Sequence, residues 1–445
     1  MADPDLGAAA SRLIQLVKKR APEAEASVAM RVGRAQNTRF AAGEITTAGD
    51  TDISDVVLTV ALGTRHATTT TTETDPSRLE PLVERALAMA KLAPEDPEWV
   101  PVLGPQKYAT TDEWDEATAT LGHEHRAKAA REIIAQADAK QVIPAGFYAT
   151  SAVTHLFATS RGLSARHRST RAGLTLTVRT PDGTGSGWAG SSETRAGAID
   201  ANALARTAID KCVASRAPKA LAPGDYTVVL EPTAVGDLLT YLMGSLDARS
   251  TDEGRSFFSK PNGGSKVGDK LIWDKLSLVS DPSDARTPGA PFDDEGVPLS
   301  KLTWFEQGTL KSLGYSRFWA AKKNVPPTGN QNGVLLSGGE AESTEALVKK
   351  VKRGLLVTRL WYIRWLQPRE LTVTGLTRDG VFLIENGKIS HPVNNFRFNQ
   401  SPLETLARAV DATKDTVRVP AWGDLLRVPA ILSERFHMAS VSAAV

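Results

Sequence analysis

A proline- and alanine-rich break near the middle of the 445 residues, Arg216-Ala217-Pro218-Lys219-Ala220-Leu221-Ala222-Pro223-Gly224, constrains this chain most. Its two prolines and closing glycine carry no apolar periodicity, so the segment neither continues a helix nor sits inside a sheet. Each flank must then bury its own core. At roughly 100–200 residues per domain, the length supports the same division, into residues 1–220 and 221–445.

The two parts read differently. Leu6, Ala9, Leu13, Ile14 and Val17 recur at helical spacing over residues 5–20, with Lys18, Lys19 and Arg20 in the last turn, where cations suit the helix dipole. Short β-rich runs follow at Ser27–Val32, Thr38–Phe40, Asp55–Leu62 and Thr68–Thr72, separated by Gly43, Gly49 and Gly63, which predicts an antiparallel meander. Asp75-Pro76 opens a second helix, and a longer helical pattern runs from about Asp115 to Lys140. Strands return at Ala145–Thr159 and Ser169–Arg179, and a helix follows at Asp200–Ala214. Beyond the break, after a strand at Tyr226–Leu230 and an apolar helix at Ala234–Leu246, strand runs and glycine turns dominate, including Leu271–Val279, Gly354–Leu360, Leu371–Thr374 and Val381–Ile384. The expected class is α+β: an N-terminal domain of antiparallel sheet with packed helices, then a C-terminal domain that is mostly antiparallel β.

Composition narrows the function classes. Fifty-three Lys and Arg against 51 Asp and Glu leave a net charge of +2, without the single-sign field of a dedicated nucleic-acid or membrane-surface protein. The one cysteine, Cys212, rules out an internal disulfide and a multi-cysteine zinc site. Acids at Asp3 and Asp5 stand where a secretory signal carries Lys or Arg, and no apolar run approaches the ~18 residues of a membrane span. A cytoplasmic protein is expected.

Each candidate constellation has an ordinary structural alternative. Gly185-Ser186-Gly187-Trp188-Ala189-Gly190 matches G-x-G-x-x-G, but polar Ser191-Ser192-Glu193-Thr194 stands where a phosphate-binding helix should begin, so a glycine-rich turn is expected. His123 and His125, two apart on a helix, point in different directions, and no H-x-x-x-H or H-E-x-x-H spacing occurs anywhere. Asp293-Asp294-Glu295 could hold a cation or supply an acid/base pair, or accept backbone N–H groups in a polar turn. The arginines and lysines from Lys349 to Arg369 interleave with Trp361, Tyr362 and Trp365 as in single-strand nucleic-acid sites; strict strand alternation would divide them between two faces, and nucleic-acid binding is not expected. Cys212 reads as a small buried residue. Residue patterns alone reveal no self-evident active site.

Several stretches of the second part, in order, resemble the TldD/PmbA family of metallopeptidase-related proteins, also called modulators of DNA gyrase. They are Gly224-Asp225-Tyr226-Thr227-Val228-Val229-Leu230-Glu231-Pro232, Pro291-Phe292-Asp293-Asp294-Glu295-Gly296-Val297-Pro298, Gln307-Gly308-Thr309-Leu310, Pro327-Thr328-Gly329-Asn330, Thr374-Gly375-Leu376-Thr377-Arg378-Asp379-Gly380 and Ile384-Glu385-Asn386-Gly387-Lys388-Ile389. The first part is similar too, with a helix, a meander ending in Gly63-Thr64-Arg65 and the helix from Pro76.

In the catalytic branch of that family, the helix after the E-P strand reads L-L-H-E-x-x-x-H, supplying zinc ligands and a base, with a cysteine further on as another ligand. Here the matching stretch begins at Leu238-Leu239, Thr240 and Ser245 stand at the histidine positions, Tyr241 stands at the glutamate, and no cysteine follows Cys212. Neutral hydroxyls do not replace imidazoles and a thiolate as zinc ligands. The resemblance therefore implies a TldE/PmbA-like, non-catalytic chain with no metal of its own. It also implies a heterodimer with a TldD-like paralogue that carries the zinc, and processing of unfolded or modified peptides admitted as an added strand. Trp361-Tyr362-Ile363-Arg364 departs from the usual pattern of that branch, leaving open the standard pair or a divergent one. Arg364, Arg378 and Asp379 are candidate binding residues, with stabilisation of a glycine turn as their ordinary alternative. An independent hydrolase using Asp293, Asp294 and Glu295, and a nucleic-acid-binding regulator, remain alternatives.

Overall fold

A computed structural model describes residues 5–420 and 426–442; the acidic start from Met1 to Pro4 lies outside the described residues. Helix α1 (Leu6–Arg20) is capped by the Asp5 carboxylate, which accepts the Ala8 N–H. Six antiparallel strands follow in two groups: β1 (Glu25–Ala41), β2 (Glu44–Leu62) and β3 (Arg65–Thr71), then β4 (Ile143–Thr159), β5 (Ser164–Arg179) and β6 (Ser186–Glu193). They form one sheet in the order β3-β2-β1-β4-β5-β6.

The expected short runs are pieces of long strands. Gly49 ends nothing: it pairs with Asn37 inside β2, and the Asn37 amide occupies the space a Cβ would need. Strands of this length give the sheet two cores. Near one end, α1 and α2 (Glu80–Leu92) bury Leu13, Val17, Val83 and Ala86 against Val28, Met30 and Leu58. Near the other, Phe40, Tyr148 and Leu174 pack under Ile133 and Ala208. The helical pattern expected over 115–140 divides at Gly122 into α3 (Glu116–Ala119) and α4 (His123–Asp138), because glycine takes the N-cap of the second helix. Helix α5 (Ala201–Ala214), capped by Asp200, closes this part.

Beyond the break, β7 (Gly224–Leu230) leads through Glu231 into α6 (Pro232–Met243). Two sheets share a large core with α6. One contains β8 (Ser277–Ser280), β9 (Leu302–Glu306), β10 (Thr309–Leu310) and β11 (Val334–Ser337). The strand expected over 271–279 is confined to β8; Leu271 and Ile272 instead donate their N–H groups to the Gly308 carbonyl. The second sheet contains β12 (Arg353–Gln367), β13 (Thr372–Glu385), β14 (Lys388–Pro392) and β15 (Asn395–Gln400), so the separate runs expected between 354 and 384 are two long strands. The remaining strands are β16 (Ala409–Ala412), β17 (Val417–Val419), β18 (Leu426–Val428) and β19 (Ile431–Ser442).

Strand β12 pairs with both β7 and β13, and the path β12-β7-β19-β15-β13 therefore returns on itself as a closed five-stranded barrel. Pairing is antiparallel except for β7 with β12 and β11 with β18. The two parts of the chain meet through specific polar bonds: Ser186 Oγ donates to Asp379 at 2.5 Å, Tyr108 Oη to the Gly296 carbonyl at 2.9 Å, and Arg249 grips both oxygens of Glu98.

Candidate functional site

Proline at the first helical position preorganises α6, and Ala234, Val235, Leu238, Leu239 and Leu242 bury its apolar face. The motif positions Thr240, Tyr241 and Ser245 are each committed to structural bonds. Thr240 Oγ1 donates to the Gly236 carbonyl at 3.0 Å, and Ser245 Oγ donates to the Tyr241 carbonyl at 2.8 Å. Tyr241 Oη donates to the Ile363 carbonyl at 2.5 Å, while its ring meets Trp365 edge-on with centroids 5.1 Å apart. Hydroxyl protons spent on carbonyls at positions 240 and 245 do not fit zinc ligation, and no group of three His, Cys, Asp or Glu among the described residues could hold a metal ion.

Asp237, one turn earlier, escaped sequence reasoning. Its Oδ2 accepts the Leu360 N–H at 3.1 Å, fixing β12 against the helix. Although the residue keeps some exposed surface, the dense packing around its carboxyl pushes the pKa up to about 7, against the opposing pull of Arg359 and the Leu360 bond.

Strand β12 departs from simple alternation beside this helix. Trp361 pairs with Leu376 and Arg364 with Thr374, leaving two residues on β12 opposite Gly375 alone, a β-bulge. Ile363 turns inward over Gly375, where a Cβ would lie 3.1 Å from its side chain, and Tyr362 takes φ 53°, uncommon for a bulky residue. The extra residue restores parity, so Arg359, Trp361 and Arg364 project from the same face. Strict alternation would have separated these three, whereas Trp365, opposite buried Val373 and against Tyr241, stays on the other face. Trp361 and Tyr362 are 44% and 62% exposed. Arg359 and Arg378 stand 5.0 and 5.3 Å from the Trp361 ring centre, and Arg364 stands 4.4 Å from that of Tyr362.

Arg378 and Asp379 do not lie in a glycine turn. They belong to β13, where Asp379 and Gly380, both at positive φ, form another irregularity opposite Thr358. The Asp379 side chain is buried; besides the bond from Ser186 it lies 3.6 Å from Arg359 and 4.0 Å from Arg378. Burial lowers the Arg359 pKa, opposed by Asp379 and Asp237.

The three neighbouring acids lie elsewhere. Asp293 Oδ1 accepts the N–H groups of Glu295 and Val297, and Oδ2 accepts that of Asn330, so this carboxylate organises a turn. Glu295 pairs with Arg317, and Asp294 is exposed. Asp293 and Asp294 line a cleft of about 800 Å³, as do His155 and His167. His167 bonds buried Glu113, which also pairs with Arg171, and burial drives the His155 pKa down to about 4. The available sequence signal was symmetry: His155 and His167 are equidistant from the β4–β5 turn and face each other across it.

The glycine string serves packing. A Cβ at Gly187 would lie 2.1 Å from the Ala208 carbonyl, and one at Gly185 would lie 2.5 Å from that of Cys212, so the glycines let α5 approach β6. Cys212 is fully buried, and burial pushes its thiol up to about 11.

Family models described as PmbA/TldA metallopeptidase domain 1, central domain and C-terminal domain match residues 26–90, 115–216 and 223–440. The chain belongs to the PmbA/TldD family. The first two matched stretches share the six-stranded sheet.

Among family relatives, a metalloprotease PmbA homolog of Buchnera aphidicola is 33% identical over 129 residues, 28% of each protein. A zinc metalloprotease TldD homolog of Saccharolobus solfataricus is 25% identical over 217 residues, 44% of this chain and 45% of that protein. The aligned stretches thus span less than half of either relative. TldE from Thermococcus kodakarensis superposes with a TM-score of 0.87 at 21% identity, covering 97% of this chain and 100% of that one. A putative modulator of DNA gyrase from Thermotoga maritima gives 0.82 at 20% identity, covering 96% and 98%. These structural likenesses concern the fold. No helix among the described residues is long and apolar enough to cross a membrane.

Proposed function

We propose that this chain is the non-catalytic, TldE-like subunit of a TldD–TldE-type zinc metalloprotease complex that processes unfolded or modified peptides, with the zinc carried by the partner subunit. The carrying observation is the occupation of the motif positions: Thr240 and Ser245 donate their hydroxyl protons to backbone carbonyls, and Tyr241 ties α6 to the bulged strand. All three side chains serve the fold where the catalytic branch presents ligands and a base. Beyond Val357, β12 has a strand partner only on its β13 side; α6 takes the Leu360 N–H and the Ile363 carbonyl, so a peptide added as a strand would pair with β12 beyond Ile363.

Native mass spectrometry of the chain purified from its own host tests this reading. The expected result is a zinc-free copy of this chain paired with a zinc-carrying paralogue that has the H-E-x-x-x-H motif. A homodimer with stoichiometric metal, or peptide hydrolysis by this chain alone in the presence of chelator, would overturn it.

A further inference from the structure

The outer face of the barrel beside α6 is basic and aromatic. In register across three strands lie Arg359 opposite Arg378, Trp361 opposite Leu376, and Leu376 opposite Arg397, with Arg364 one step further along β12. Opposed residues share a face, so these side chains form one surface. The acids nearby do not balance it. Asp379 is buried beneath the arginines, Asp237 is engaged by the Leu360 N–H, and Glu370 sits in the turn that ends β12. Among the described residues, neither Arg364 nor Arg397 has a carboxylate within 4.0 Å, and Arg364 spends one N–H on the Ile363 carbonyl.

We infer that this face binds an acidic polypeptide segment, its carboxylates taken by Arg364 and Arg397 and an apolar side chain laid against Leu376 and the edge of the Trp361 ring. The stacking decides between polypeptide and nucleic acid. Arg359 and Arg378 lie near the Trp361 ring, and Arg364 near the Tyr362 ring, so the arginines compete for the ring faces on which bases would stack. A guanidinium over a ring keeps its N–H groups in plane, and Arg364, with Nη1 on the Ile363 carbonyl, still offers its Nε and Nη2 side to receive a carboxylate in two parallel bonds. Net charge of +2 provides no broader field for a phosphate backbone to follow. Arg364 lies opposite Thr374 and Arg397 opposite Leu376, so two strand spacings and a two-residue stagger separate them by roughly 12 Å, which an extended chain covers in about four residues with both side chains on one face. This assignment rests on the peptide-handling reading for its ligand class, and it concerns this chain alone.

Fluorescence anisotropy of the full chain with a labelled twelve-residue peptide, bearing Glu residues four apart with a Leu midway between them, tests it. The expected result is saturable binding that weakens at least tenfold in Arg364→Glu and in Arg397→Glu, weakens in Trp361→Ala, and falls as salt rises. Equal binding of the Lys-for-Glu peptide, unchanged binding in both charge reversals, or tighter binding of a twelve-nucleotide oligo(dT) would overturn it. Circular dichroism spectra matching the unmodified chain show that the variants fold. Failure here with a paralogue still copurifying sinks only this assignment; a lost paralogue with peptide binding intact sinks only the subunit reading.

Discussion

The Asp379 contact is the sharpest test of what holds the two parts of the chain together. Its side chain is 1% exposed, accepts from Ser186 at 2.5 Å, and faces Arg359, itself 14% exposed, at 3.6 Å. At that separation and an effective dielectric constant of about 20, the ion pair is worth about 4–5 kcal/mol before desolvation is subtracted. Asp379→Asn keeps an acceptor for Ser186 and tolerates the residue's φ of 57°, so it removes charge without adding backbone strain. Leaving Arg359 buried without its counter-charge should cost about 3 kcal/mol. Ser186→Ala, which removes a hydrogen bond to a charged group, should cost about 1.5–2 kcal/mol. The two changes share a partner, so the double variant should lose less than the sum, by about 1 kcal/mol. Urea denaturation followed by tryptophan fluorescence reads this directly, because Arg359 stacks 4.6 Å from Trp188 as well as over Trp361. A loss below about 0.5 kcal/mol in D379N, or strict additivity with S186A, would refute the argument.

Further expectations concern packing, protonation and thiol chemistry. Gly187→Ala forces α5 away from β6 at backbone atoms that have no rotamer to yield; a loss of about 1–3 kcal/mol is expected in denaturant melts, and a neutral variant would show that the helix can slide. The Asp237 carboxyl keeps its proton up to about pH 7 when folded but only to about 4 when unfolded, so the wild type loses stability as pH climbs through that window. Asp237→Asn removes the slope: its midpoint should exceed that of the wild type at pH 8, with the gap narrowing by pH 5, and a constant gap would contradict the shifted carboxyl. Cys212, with its thiol pushed up to about 11, should resist iodoacetamide at pH 8 until the chain is unfolded; rapid labelling of the native protein would show that α5 opens.

Local signals made the helix starts legible. The helices expected from residue 5 and from Asp200 do start there, capped by Asp5 and Asp200, and Asp75 caps a short turn just before α2, because a cap needs only a side chain and an N–H two or three residues on. Strand lengths were less legible, since Gly49 punctuates a sequence but in the fold accommodates the side chain of Asn37 on the neighbouring strand. The motif positions Thr240, Tyr241 and Ser245 could be located from ordered resemblance, whereas their bonds could not. The face around Trp361 was hidden because one inserted residue reverses the parity on which alternation depends. Asp379 and Ser186 lie 193 residues apart, and Glu113 lies 54 residues from His167, so only tertiary placement brings these pairs together.

The closed barrel imposes an order on synthesis. Strand β7 leaves the ribosome at the start of the second part, yet β19, one of its two strand partners, follows roughly 200 residues later. At about 5–20 residues per second, that is some tens of seconds during which an apolar strand waits with an open flank. Pairing with β12 covers only Val228 to Leu230 in the interval. The ring is sealed only when the last described strand arrives, so a chain cut before β19 leaves the apolar flank of β7 open.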